Sequence, residues 1–112
     1  MNDSTTLAES EFHRRVDALL DALEEAVDAV DADIDSEKTG GILTLTFADR
    51  SKVIVNRQTP NREIWVAAKS GGFHFRYDGA VWRDTRSGEQ LDALLSRVVS
   101  MQCEREVMIT LP

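Results

Sequence analysis

Apolar residues return every three or four positions at Phe12, Val16, Leu19, Leu23, Val27 and Val30, a spacing that predicts an amphipathic helix over about residues 10–31. Ser10 is the expected N-cap, and Glu11 falls in the first turn, where the helix dipole favours an anion. Residues 1–9 are polar and unpatterned and read as a frayed tail. Beyond the helix the rhythm changes to strict alternation, with Asp31, Asp33, Asp35 and Glu37 separated by Ala32, Ile34 and Ser36. In an extended chain these carboxylates share one side at intervals of about 6.6 Å, which would carry an acidic stripe from the helix into the segment that follows it.

Gly40 and Gly41 mark a turn, and five short runs then read as strands: 42–47, 52–58, 63–68, 73–77 and 81–84. The links between them are rich in turn residues and too short for parallel crossovers, so the strands are expected to form an antiparallel meander. Ser87 with Gln90 resembles a capping box, and Leu91, Leu94, Leu95, Val98 and Val99 supply the apolar stripe of a second helix ending near Gln102. Residues 107–111 are extended and apolar enough to pack. Helix, five-strand meander, helix and a short extended C-terminus predict an α+β two-layer sandwich, a single domain over 10–112 with both helices on one face of the sheet.

Alternation also suggests what the uncovered face displays. If Val53 and Val55, Ile64 and Val66, and Phe73, Phe75 and Tyr77 turn to the helices, then Asn56, Gln58, Trp65, His74 and Arg76 turn away. A tryptophan beside amides, a histidine and an arginine has the composition of a contact surface. A register slip of one residue would reverse the assignment.

Charge changes the picture more than bulk composition does. Residues 1–37 carry twelve acids against Arg14 and Arg15, whereas residues 38–112 carry eight acids against eleven bases, so the molecule is expected to be polarised. Between Asp17 and Glu37 stand Asp17, Asp21, Glu24, Glu25, Asp28, Asp31, Asp33, Asp35 and Glu37, with no Lys or Arg among them. Like charges three or four residues apart on a helix cost roughly 0.2–0.5 kcal/mol per pair, so such a run calls for a purpose beyond solubility. An acidic half repels phosphate backbones and attracts cations or a basic protein surface, which argues against nucleic acid as a ligand. Oxygen-rich, loosely constrained carboxylates suit hard cations. His13, one turn before Asp17, is a further candidate ligand at the edge of the stripe.

Other chemistry finds little support. Counted from Asp31, the alternating acids fail as an EF-hand loop, because the sixth residue is Ser36 where glycine is required and the twelfth is Ile42 where glutamate is. The single cysteine, Cys103, has no His or Asp pattern around it and allows no intramolecular disulfide, which fits a reducing compartment. No nucleophile stands with a base, and the Gly pairs lack a following Lys-Ser/Thr, so an enzyme with an organised catalytic site is not expected. With neither a membrane-length apolar run nor a secretory signal pattern, the expected location is the cytoplasm.

These residues also carry a specific resemblance. Residues 10–14 (Ser-Glu-Phe-His-Arg), the acidic first helix, 40–47 (Gly-Gly-Ile-Leu-Thr-Leu-Thr-Phe), 55–58 (Val-Asn-Arg-Gln), 64–67 (Ile-Trp-Val-Ala), 71–75 (Gly-Gly-Phe-His-Phe) and 86–89 (Arg-Ser-Gly-Glu) resemble, in order, the bacterial frataxins, the CyaY family. The resemblance covers residues 10–107, and its most specific part is the Asn-Arg-Gln and Ile-Trp-Val-Ala pair. It implies the helix–meander–helix sandwich and a non-enzymatic role in iron–sulfur cluster assembly, as iron-dependent regulator, iron donor or both. It further implies weak binding of Fe²⁺ or Fe³⁺, for which other divalent cations can substitute, at Glu24, Glu25, Asp28, Asp31, Asp33, Asp35 and Glu37. The expected partner is the cysteine desulfurase, with the cluster scaffold protein as a further candidate. Docking would use the acidic ridge, with Glu24, Glu25 and Asp28, together with Trp65, Asn56 and Gln58; His74, which the alternation turns to the same face, is a better candidate for that interface than for a metal ligand. A monomer is expected, able to oligomerise with iron. The alternative is a ferroxidase or storage protein that oxidises and sequesters iron in oligomers.

Overall fold

The computed structural model describes residues 7–30 and 32–112. Helix α1 spans Glu9–Asp28, and six strands follow: β1 Ile34–Thr39, β2 Ile42–Phe47, β3 Lys52–Gln58, β4 Glu63–Ala68, β5 Gly71–Tyr77 and β6 Trp82–Asp84. Helix α2, Leu91–Cys103, closes the regular structure. All neighbouring strands pair antiparallel in chain order, so the sheet is a pure meander with both helices against one face. This is the expected α+β sandwich with one strand more. The added strand, β1, is the alternating acidic segment itself, paired to β2 from Ile34↔Phe47 to Thr39↔Ile42. Its polar composition hides it as a strand, because an edge strand needs little apolar burial and charged side chains there discourage pairing with other chains.

The core forms where the two periodicities meet. Phe12, Val16, Leu19, Leu20, Leu23 and Val27 of α1, with Leu91, Leu94, Leu95, Val98 and Val99 of α2, close over Leu43, Leu45, Phe47, Val53, Val55, Ile64, Val66, Phe75 and Trp82 of the sheet. Full burial of such a side chain contributes about 1.5–3 kcal/mol. The extended C-terminus packs without joining the sheet. Val107 and Ile109 are buried, and the Ser100 and Ser96 hydroxyls accept hydrogen bonds from their backbone N–H groups, each at 2.8 Å.

The helix starts differ from expectation. Ala8, not Ser10, is the N-cap of α1, and no side chain caps it. Leu7 is held instead by packing on the core and by Arg62 Nε, which donates to its carbonyl at 3.2 Å, so Leu7, Ala8 and Glu9 belong to the fold and only residues 1–6 of the expected tail lie outside the described residues. Ser87 does not cap α2; its hydroxyl donates to the buried Asp84 at 2.8 Å, and Gln90 occupies the N-cap.

Two surface carboxylates lock turns. Asp78 accepts the backbone N–H groups of Val81 and Ala80 and the Arg83 side chain, which together hold its pKa at about 2. Asp49 is lowered likewise to about 2, first by the Ser51 hydroxyl and then by the Ser51 N–H. A carboxylate whose folded pKa is depressed stabilises the fold above its unfolded value and loses that contribution as pH falls through the folded one. Asp78→Ala is therefore expected to lower the melting temperature at neutral pH and to flatten its pH dependence between about 4 and 2, as thermal melts across that range would show.

Candidate metal and partner surface

The acids of α1 lie on its exposed side, as the helical period requires. Glu11 is paired within the helix, by Arg14 and Arg15, but the countercharges of Asp17, Asp21 and Glu24 come from the sheet. Lys38, on β1, reaches α1 and forms ion pairs with Asp21 and, at 3.5 Å, with Glu24. The hydrogen bond to Asp21 is the main cause that raises the Lys38 pKa, so this group stays an ammonium at any physiological pH. Arg57, at the end of β3, hydrogen-bonds Asp17 and donates to His13 Nδ1 at 2.8 Å. Because guanidinium only donates, His13 Nδ1 must accept and its proton sits on Nε2, which lies 3.6 Å from Glu9. His13 thus belongs to an Arg57-centred cluster with Asp17.

These contacts correct the expectation of a stripe without countercharges. Asp17, Asp21 and Glu24 are compensated by partners distant in sequence, while Glu25, Asp28, Asp33, Asp35 and Glu37 have no cation partner among the described residues. Asp28 has one long contact, from the Ser36 hydroxyl at 3.5 Å. Asp31 lies outside the described residues. The arrangement around Arg57 depends on Gly41: a Cβ there would stand 2.9 Å from both Cβ and Nε of Arg57. Gly41→Ala is expected to cost about 1–3 kcal/mol and to loosen the His13–Arg57 contact, measurable by denaturant unfolding and by the His13 ring resonances.

The acids of β1 do not continue the helical stripe. Asp35 is paired with Thr46 and Glu37 with Thr44, and cross-strand partners share a face. Thr44 and Thr46 alternate with the buried Leu43, Leu45 and Phe47, so Asp35 and Glu37 project onto the uncovered face of the sheet. The reason is Ile34: its side chain turns to the core, where it packs, and the period of two then sends Ser36 and Lys38 towards α1 and the acids away. Two rows of carboxylate flank one edge strand, one row on each side. Among the described residues no three His, Cys, Asp or Glu side chains are placed to enclose one ion.

The uncovered face carries the second feature. Asn56 pairs with Trp65 across β3–β4, and Trp65 with His74 across β4–β5, in the outward register expected from alternation. The Trp65 indole stacks on the His74 ring, centroids 4.3 Å apart and planes within 8°. Trp65 Nε1 donates to Glu63 at 2.7 Å, and Arg76 Nε donates to the other oxygen of the same carboxylate at 2.8 Å. Glu63 is buried despite lying on this face, because its neighbours cover it. Sequence reasoning passed over Glu63; a carboxylate two residues before an outward Trp and paired with an outward Arg was the available signal. Beside the indole, Ile42, Ile54, Asn56, Ala67 and Gly72 line a shallow depression of about 260 Å³.

Comparison with known proteins agrees with this architecture. The frataxin-like domain profile matches residues 5–105. The iron–sulfur cluster assembly protein CyaY of Paraburkholderia xenovorans is 50% identical over 101 residues, covering 90% of this chain and 96% of that protein. Its counterpart in Ralstonia nicotianae is 52% identical over 107 residues, covering 92% and 95%. Among solved structures, frataxin from Psychromonas ingrahamii superposes with a TM-score of 0.87 at 34% identity, covering 94% of this chain and all of that one. A trimeric yeast frataxin complexed with ferrous iron superposes with a TM-score of 0.67 at 29% identity, each chain covered to 94%.

Proposed function

Because this chain belongs to the frataxin-like family, we propose that it serves iron–sulfur cluster assembly as a non-enzymatic iron-binding protein that docks on the cysteine desulfurase. The observation that carries the reading is the set of exposed carboxylates without a cation partner among the described residues, Glu25, Asp28, Asp33, Asp35 and Glu37, bordering a sheet face that presents Trp65. Carboxylate oxygens suit a hard cation such as Fe²⁺, and their spread along an edge suits weak, exchangeable binding in which the ion is cargo or signal. The donor set therefore fits iron, and Mn²⁺ or another divalent cation would take the same oxygens. The same carboxylates suit a basic protein surface, so cation and partner would compete for one edge, and that competition would make docking iron-dependent.

The ferroxidase or storage alternative calls for carboxylates and histidine converging on a shared ion. The described carboxylates diverge onto two sides of β1, and His13 is engaged by Arg57, which favours binding over turnover. Under anaerobic conditions, Fe²⁺ titration followed by amide NMR should shift resonances within residues 25–37. Shifts confined to other parts of the chain would overturn the metal assignment. The cytoplasm is the proposed site of this work, a reading that the bacterial relatives support, and no described helix is long and apolar enough to cross a membrane.

A further inference from the structure

The helical half of the acidic edge contains four acids in register, Asp17, Asp21, Glu24 and Asp28, yet the sheet places a permanent cation against two of them. Lys38 is on the side of β1 that faces α1, fixed there by its pairing opposite the buried Leu43, and its side chain is only 32% exposed. Its ammonium therefore stands where a free cation would have to stand to use Asp21 and Glu24 together. A tethered charge acts as a competitor at high effective concentration, because its approach costs no translational freedom. A soluble divalent ion reaching this point must displace it, strip water and leave an ammonium without a partner. Arg57 does the same for Asp17 from the next strand but one.

We propose that Lys38 is a built-in cation that closes the Asp21–Glu24 part of the helix to metal and confines binding to Glu25, Asp28 and the carboxylates before and along β1. It is a specificity-determining residue: it touches no metal, and it sets which oxygens a metal reaches. The inference rests on the reading of the acidic edge as a divalent-cation surface. It also accounts for why a stripe so regular in sequence is not uniform in the fold.

The test is titration with Mg²⁺, a diamagnetic hard cation, followed through the side-chain carboxylate carbon resonances of the natural protein, of Lys38→Gln and of Lys38→Arg, with resonance dispersion of each showing that it is folded. In the natural protein and in Lys38→Arg, the carboxylate shifts should be confined to Glu25, Asp28 and the acids from there to Glu37. In Lys38→Gln they should extend to Asp21 and Glu24 at the same Mg²⁺ concentration, while Asp17, still paired to Arg57, stays unmoved. Shifts at Asp21 and Glu24 in the natural protein, or an identical pattern in all three proteins restricted to the acids of residues 25–37, would overturn the role of Lys38 and leave the metal surface standing. Absence of carboxylate shifts throughout residues 17–37 in every protein would overturn both.

Discussion

Reversing Glu25 and Asp28 to lysine is expected to weaken binding to the desulfurase by about a hundredfold or more. An exposed ion pair contributes about 0.2–1 kcal/mol, and reversal replaces attraction with repulsion at each position, so two sites with their neighbours amount to roughly 3 kcal/mol. The loss should fall mainly on the association rate and shrink at high salt, where exposed charges are screened over about 10 Å. Asp21→Asn provides the internal comparison. Its carboxylate already belongs to Lys38, so its neutralisation should change affinity little. Calorimetry and stopped-flow association at two salt concentrations would measure both. Equal losses from Asp21→Asn and from the reversal at Glu25 and Asp28 would mean that the fold does not partition the acids as their ion pairs suggest.

Trp65→Ala carries the second large effect. Its ring is half-buried, stacked flat on His74 and held by its hydrogen bond to Glu63, so its outward face is presented in one orientation before any partner arrives. Anchors of this kind, aromatic and already ordered, commonly supply about 2–4 kcal/mol of binding, and a loss of about thirtyfold or more in desulfurase affinity is expected. Because the ring lies on the side of the sheet opposite the helices, the melting temperature should move far less than for truncation of the fully buried Phe12, whose loss should cost about 3–5 kcal/mol. Glu63→Gln separates presentation from contact. The indole would keep its area but lose a charged acceptor, so an intermediate affinity and an altered tryptophan emission are expected.

Much of this organisation is legible in the residues themselves. Val53, Val55, Ile64 and Val66 alternate cleanly enough to fix the sheet register, and with it the outward positions of Asn56, Trp65 and His74. The helical stripe from Phe12 to Val27 is equally plain, because one side of α1 is apolar and the other charged. The illegible parts depend on contacts between distant segments. Alternation shows that Asp35 and Glu37 share a side but not which side, and Ile34 alone is weak evidence for choosing it. The pairing of Lys38 with Asp21 and of Arg57 with Asp17 joins residues 17 and 40 positions apart, which no local pattern reports. Ser10 and Ser87 failed as caps for a similar reason: tertiary anchors, Arg62 on the Leu7 carbonyl and Asp84 on the Ser87 hydroxyl, decided where those helices begin.

The central claim is that one carboxylate edge serves both a hard cation and a basic partner. Desulfurase affinity measured anaerobically against increasing Fe²⁺ tests it most directly. The account predicts that the apparent dissociation constant rises as the edge fills with Fe²⁺, and that the Glu25 and Asp28 reversal removes this dependence along with most of the affinity. A dissociation constant unchanged while Fe²⁺ demonstrably occupies residues 25–37 would contradict it.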